Sequence, residues 1–188
     1  MEVSNMTTMT TVKKSIITAV CMALCVVLPM AFHAIPNAGS IYCPMHIPVL
    51  LCGLICGWQY GLLCGLVGPA LSTLFTGMPP AAYLPSMMVE IAVYGALCGL
   101  MMKLVSTKKI YVDLDICLAV ALLGGRIIGG IAKALIFARG DYSVASWATG
   151  YFATSLPGII IQLVLIPSII FALMKARLVP ERYPKLKA

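Results

Sequence analysis

The chain has 188 residues, of which 61% are hydrophobic and only 10% charged, with a mean hydropathy of +1.01. A soluble domain carries about 25% charged residues and, at this size, has too much surface to hide so apolar a composition; disorder and a coiled coil are excluded by the same figures. The net charge of +7 would suggest nucleic acid on a soluble protein, but this chain reads as an all-α integral membrane protein, and the positions of its charges say more than their sum.

A helix needs about 20 apolar residues to cross the hydrocarbon core. Six stretches are expected to do so: Ser15 to Ala31, His46 to Trp58, Gly61 to Phe75, Tyr83 to Leu104, Asp115 to Ala138 and Ala148 to Met174. The second and third are short and separated only by Gln59 and Tyr60. Read as one element, Ile47 to Thr76 would be 30 residues, about 45 Å and too long for one crossing. A helical hairpin turning at Gly57-Trp58-Gln59-Tyr60-Gly61 is expected instead. The first span follows Lys13 and Lys14, as a leader does, but no convincing small-x-small cleavage site comes after it. The chain is thus read as an amino-terminal segment (1–12), a six-helix membrane domain (13–175) and a basic tail (176–188).

Ten of the 13 Lys and Arg residues fall in three clusters: Lys13 and Lys14; Lys103, Lys108 and Lys109; and Lys175, Arg177, Arg182, Lys185 and Lys187. Six spans put both ends on one side, and the opposite loops (32–45, 76–82 and 139–147) hold only Arg139. By the positive-inside rule both termini are cytoplasmic.

Glycine recurs at every fourth position through Gly53, Gly57, Gly61 and Gly65, and again at Gly95/Gly99 and Gly125/Gly129. Small residues four apart share one helical face and let helices approach closely in lipid. Ala19 and Ala23 repeat the spacing on the first span, where the groove fits a neighbour in this chain or in another subunit. Of the eight cysteines only Cys43 falls in an expected loop, so they read as small apolar fillers in a reduced setting.

Ionisable residues inside a membrane cost roughly 2.5–3.5 kcal/mol at the helix centre and usually mark function. Arg126 lies near the middle of the fifth span, with Lys133 seven residues on, nearly on the same face and about 10 Å closer to the outside. Glu90 lies at the depth of Lys133 on the fourth. A Glu90–Lys133 ion pair is one reading; even so, two cations against one anion leave an excess of +1 that a ligand carboxylate or phosphate would balance. Tyr83, Glu90 and Tyr94 form a stripe on the fourth span; Tyr151, Ser155, Gly158 and Gln162 form another on the sixth. Trp147 and Tyr151 also suit an interfacial belt. The candidate substrate-binding residues are Asn37, Tyr83, Glu90, Tyr94, Arg126, Lys133, Tyr151 and Gln162. Asn37 comes from the long outer loop, whose prolines and glycine suit a shaped cover.

His33 and His46 lack the acidic or thiolate neighbours a metal would need, so no metal or cofactor is expected. There is no G-x-x-x-x-G-K-[ST] loop for nucleotide, no G-x-S-x-G element and no H-E-x-x-H helix. Nothing argues for an enzyme or for nucleic-acid binding. A pocket opening outward argues for solute capture. A self-contained secondary transporter is the alternative, but no repeat relates residues 15–104 to 115–175; a membrane scaffold without a ligand is the third.

Several stretches resemble one bacterial family: Pro44-Met45-His46-Ile47-Pro48-Val49-Leu50-Leu51-Cys52-Gly53, Thr76-Gly77-Met78-Pro79-Pro80, Glu90-x-x-x-Tyr94-Gly95, Gly125-Arg126 and Leu156-Pro157-Gly158-x-x-x-Gln162-Leu163. With the length, the six spans and Ala19-x-x-x-Ala23, they are similar to the substrate-binding S components of energy-coupling factor (ECF) vitamin transporters, from residue 13 to about 175. The resemblance implies a subunit of the bacterial cell membrane that binds a vitamin or related micronutrient from outside. It implies partners as well: a transmembrane T subunit, docked on Ala19 and Ala23, and two ATP-binding subunits that supply the energy. It also implies that residues 32–45 gate the pocket and that the subunit tips in the membrane to release its ligand. The excess positive charge favours an acidic ligand, pantothenate first, with niacin or a flavin behind it.

Overall fold

The computed structural model describes residues 9–32, 34–137 and 143–180. His33, Arg139, Arg182, Lys185 and Lys187 lie outside the described residues, as do most of the amino-terminal segment and of the basic tail. Among the described residues the chain is all helical.

Helix α1 (Thr11–Ala31) opens where the Thr10 hydroxyl accepts from the Lys13 N–H at 3.3 Å, satisfying a donor that the first turn leaves unpaired. The outer loop carries a short helix, α2 (Ala38–Tyr42), entered and left through Asn37 and Cys43 in the left-handed region. Then come α3 (His46–Cys56) and α4 (Trp58–Thr76), separated by Gly57 alone. Its φ of 98° is open to glycine and strained for other residues. The Gly57 N–H closes α3 on the Gly53 carbonyl, and its own carbonyl receives the Gly61 N–H, both at 3.0 Å. The expected hairpin is therefore tighter than the five-residue turn, and Gly57 serves the turn while its backbone also lies against Gly99, where a Cβ would stand 2.6 Å from the Gly57 carbonyl carbon.

Helix α5 (Leu84–Leu104) packs against both arms of that hairpin and against α6 (Ile110–Ala132). A Cβ on Gly61 would stand 2.7 Å from the Gly95 carbonyl carbon and 2.8 Å from the Gly53 Cα. The spaced glycines thus bring α3, α4 and α5 into backbone contact, as small residues do in lipid.

The sequence places the start of α6 too late. Asp113 is fully buried and accepts from the Thr107 N–H (2.8 Å) and hydroxyl (2.6 Å), so a carboxylate that breaks the apolar run in fact anchors the first turn of the helix. At its other end α6 widens into a π-helical turn, Lys133–Phe137. The last apolar stretch is likewise divided, into α7 (Val144–Ala148), a π-helical segment (Thr149–Thr154) and α8 (Leu156–Lys175).

Five helical segments are long and apolar enough to cross a membrane: Thr11–Ala31, Ala38–Cys56, Leu84–Leu104, Ile110–Leu135 and Leu156–Lys175. The remaining expected span, α4, has 19 residues but is diluted by Trp58, Gln59 and Tyr60 at one end and Ser72, Thr73 and Thr76 at the other. It falls short of the apolar level of the five. Leu50, Leu54, Ile91, Leu114, Leu118, Ile166 and Ile170 fill the core, and all eight cysteines are buried and outside any disulfide.

Candidate functional site

One end of the bundle is hollow. There α1 and α4 finish, α3 and α5 begin, and the two π-helical segments interrupt the last apolar stretches. The cavity has a volume of about 890 Å³, within the range that holds drug-sized ligands.

Arg126 lies at its base, only 2% exposed. Its Nε donates to the Tyr151 carbonyl (2.7 Å), one terminal nitrogen to the Leu122 carbonyl (3.3 Å) and the other to the Ser155 hydroxyl (3.2 Å). The guanidinium carbon lies 5.9 Å from the Tyr94 ring centre and 5.8 Å from that of Phe152, a cation–π setting for a charge taken out of water. Three of its five N–H donors have protein partners in these bonds.

Glu90 is the other hub. Its Oε1 accepts from the Tyr94 hydroxyl at 3.2 Å and its Oε2 from the Tyr151 hydroxyl at 2.8 Å, while His46 Nε2 stands 3.9 Å from Oε1. The carboxylate thus faces Tyr94, Tyr151 and His46, and Lys133 stands on the same cavity wall. Two glycines of α6 make room for this cluster. A Cβ on Gly129 would meet Glu90 Cγ at 2.8 Å, and one on Gly125 would meet Tyr94 Cγ at 2.9 Å.

Of the candidate residues, Asn37, Tyr83, Glu90, Arg126, Lys133 and Tyr151 line the cavity. Tyr94 and Gln162 do not. Tyr94 is buried behind Glu90 and packs edge-on against His46 with ring centres 5.0 Å apart. Gln162 is buried too, its Nε2 donating to the Cys43 carbonyl at 3.5 Å. Among the described residues, His46 Nδ1 and Gln162 Oε1 are the buried side-chain polar atoms without a hydrogen-bond partner.

His46, Ser155 and the Met78-Pro79-Pro80 wall also line the cavity, outside the set of candidate residues. Ser155 stands four residues from Tyr151, so its signal is the helical stripe. His46 and Met78-Pro79-Pro80 fall within stretches that resemble the family, but nothing in their local chemistry marks them as ligand contacts. Among the described residues no group of three or more His, Cys, Asp or Glu is placed to hold a metal.

Residues 13–175 match the family model described as ECF transporter, substrate-specific component. The chain belongs to that family. It is the family that the local motifs resemble, over the same stretch of chain, and it makes this a multi-pass membrane protein and the substrate-binding subunit of an ECF importer. ECF substrate-specific components act with a T subunit and ATPase subunits on a small-molecule substrate. No curated protein and no solved structure gives a significant match.

Proposed function

We propose that this chain is the solute-capturing S component of an ATP-driven ECF importer in the bacterial cell membrane, and that it takes an anionic vitamin or related micronutrient, with a pantothenate-like acid as the leading choice. It spans the membrane six times, α4 being carried across within the bundle despite its weaker hydropathy. Both termini are cytoplasmic, and the cavity opens outside. The observation that carries the reading is Arg126, buried at the cavity base with its three protein hydrogen bonds made to neutral oxygens, while Glu90, the one carboxylate among the described lining residues, already serves Tyr94 and Tyr151. A ligand carboxylate would balance that charge and take up the Arg126 donors not bonded to protein. Asn37, Tyr83 and Tyr151 contribute wall contacts, whereas Tyr94 and Gln162 support the wall from behind.

The energising partners are a T subunit and two ATP-binding subunits. In support, Ala19 and Ala23 lie on the exposed side of α1, opposite the buried Thr18, Cys21 and Cys25.

The test is mass spectrometry of small molecules released from the purified chain, with Arg126→Ala alongside and melting curves for both. A stoichiometric organic acid on the wild type and none on a folded variant is the expected result. The same solute on both would remove Arg126 from the site. If nothing is released and a vitamin panel gives no thermal stabilisation, the scaffold reading takes over.

A further inference from the structure

The most deeply buried charged groups, Arg126 and Glu90, sit at the bottom of the cavity, and its mouth is made of different material. Arg126, His46 and Ser155 at the base are all buried. Towards solvent the wall passes to Met30 (55% exposed), Ile35 (47%), Met78 (41%) and Tyr83 (60%), joined by Phe32 and by prolines of both outer loops. Polar residues such as Asn37 and Ser86 punctuate this rim, but none of those in the two loops is charged. A compact acid bound at the base would leave most of the roughly 890 Å³ unfilled and the rim side chains facing water, which forgoes the burial that normally drives binding.

We infer that the captured solute is amphipathic, with its acid group at the Arg126 end and an aromatic or branched-alkyl body lying against Met30, Phe32, Ile35, Met78 and Tyr83. The inference rests on the capture reading and narrows its substrate class. The apolar body is assigned to the same molecule as the acid because rim and base are walls of one continuous cavity. Methionine and proline suit such a wall: the thioether adapts to ring faces, and proline presents apolar surface without a backbone donor to satisfy.

Three probes separate the contributions, each measured as the concentration that half-maximally stabilises the full chain in lipid nanodiscs: acetate, 2-naphthylmethanol and 2-naphthoate. The naphthoate is expected to act at about tenfold lower concentration than acetate, since burying one ring is worth more than 1.4 kcal/mol, and at about tenfold lower concentration than the alcohol, since only its carboxylate takes charge-assisted hydrogen bonds at the Arg126 end. Ile35→Ser combined with Met78→Ser, both exposed and so compatible with folding, should erase its advantage over acetate. Lys133→Gln or Arg126→Gln should erase its advantage over the alcohol. Equal action of acetate and naphthoate overturns the inference, as does equal action of the alcohol, which would mark the rim as a lipid-facing surface. No stabilisation by naphthoate also overturns it. The mass spectrum of the released solute keeps the two readings apart: a compact, wholly polar acid sinks the amphipathic class while leaving capture intact, whereas a solute with a ring or branched chain supports both.

Discussion

Arg126 binds the π-helical segment to α6 through its Nε and the Tyr151 carbonyl, and reaches the start of α8 through Ser155. Its own carbonyl accepts the Trp147 indole N–H at 3.1 Å. Loss of the guanidinium therefore costs the fold as well as the ligand. Arg126→Ala is expected to destabilise the purified chain by about 3 kcal/mol, from hydrogen bonds with a charged donor and the partners left bare; thermal melting measures it. Arg126→Lys should recover little, because a single ammonium does not reproduce the planar fork. Tyr151→Phe is a finer probe. It deletes the 2.8 Å bond to Glu90 Oε2 while keeping the ring, with an expected loss of about 2 kcal/mol. A melting curve unchanged by Tyr151→Phe would show that the Glu90 hub does not hold the wall together.

At the scale of elements, the helices were legible because lipid demands long apolar runs, and the glycine spacing announced how closely they pack. Their ends were less so. Asp113 reads as an interruption until its partner Thr107 is brought beside it, and a π-helical turn leaves no mark in an apolar sequence. The site shows the same division. Charges within apolar stretches pointed to Glu90, Arg126 and Lys133, whereas His46 and Met78-Pro79-Pro80 stand in family-like stretches whose shared place on one cavity wall depends on two loops meeting across it. Gly61→Ala tests the close packing, since the new methyl would run into the Gly95 backbone. A loss of at least about 2 kcal/mol is expected from overpacking against groups unable to yield. Gly57→Ala acts differently, through φ of 98° and ψ of 172°, a conformation essentially reserved for glycine: a penalty of about 1–3 kcal/mol is expected, with no new neighbour within 4 Å. Melting of the two variants measures both losses.

For the molecule as a whole, α1 is the element most available to a neighbour. Val12, Ile16, Val20 and Val27 are exposed along it beside Ala19 and Ala23. Ala23→Leu should lower co-purification with the T subunit by more than about tenfold, while the variant's melting temperature, read in parallel, confirms that it folds. Equal recovery of the T subunit would remove this face from the assembly.

Beneath the cavity stands α3, every residue of which except Ile47 is buried. Eleven residues make a rod of about 16 Å, roughly half the thickness of a hydrocarbon core. Below His46, Leu50 and Leu54 lie along it in one buried core with Ile91, Leu114 and Ile166. Among the described residues the hollow is consequently a cup with a thick apolar base. The purified subunit in a planar bilayer is therefore expected to add no conductance for protons or sodium, because an ion crossing that base would have to exchange its water for hydrocarbon.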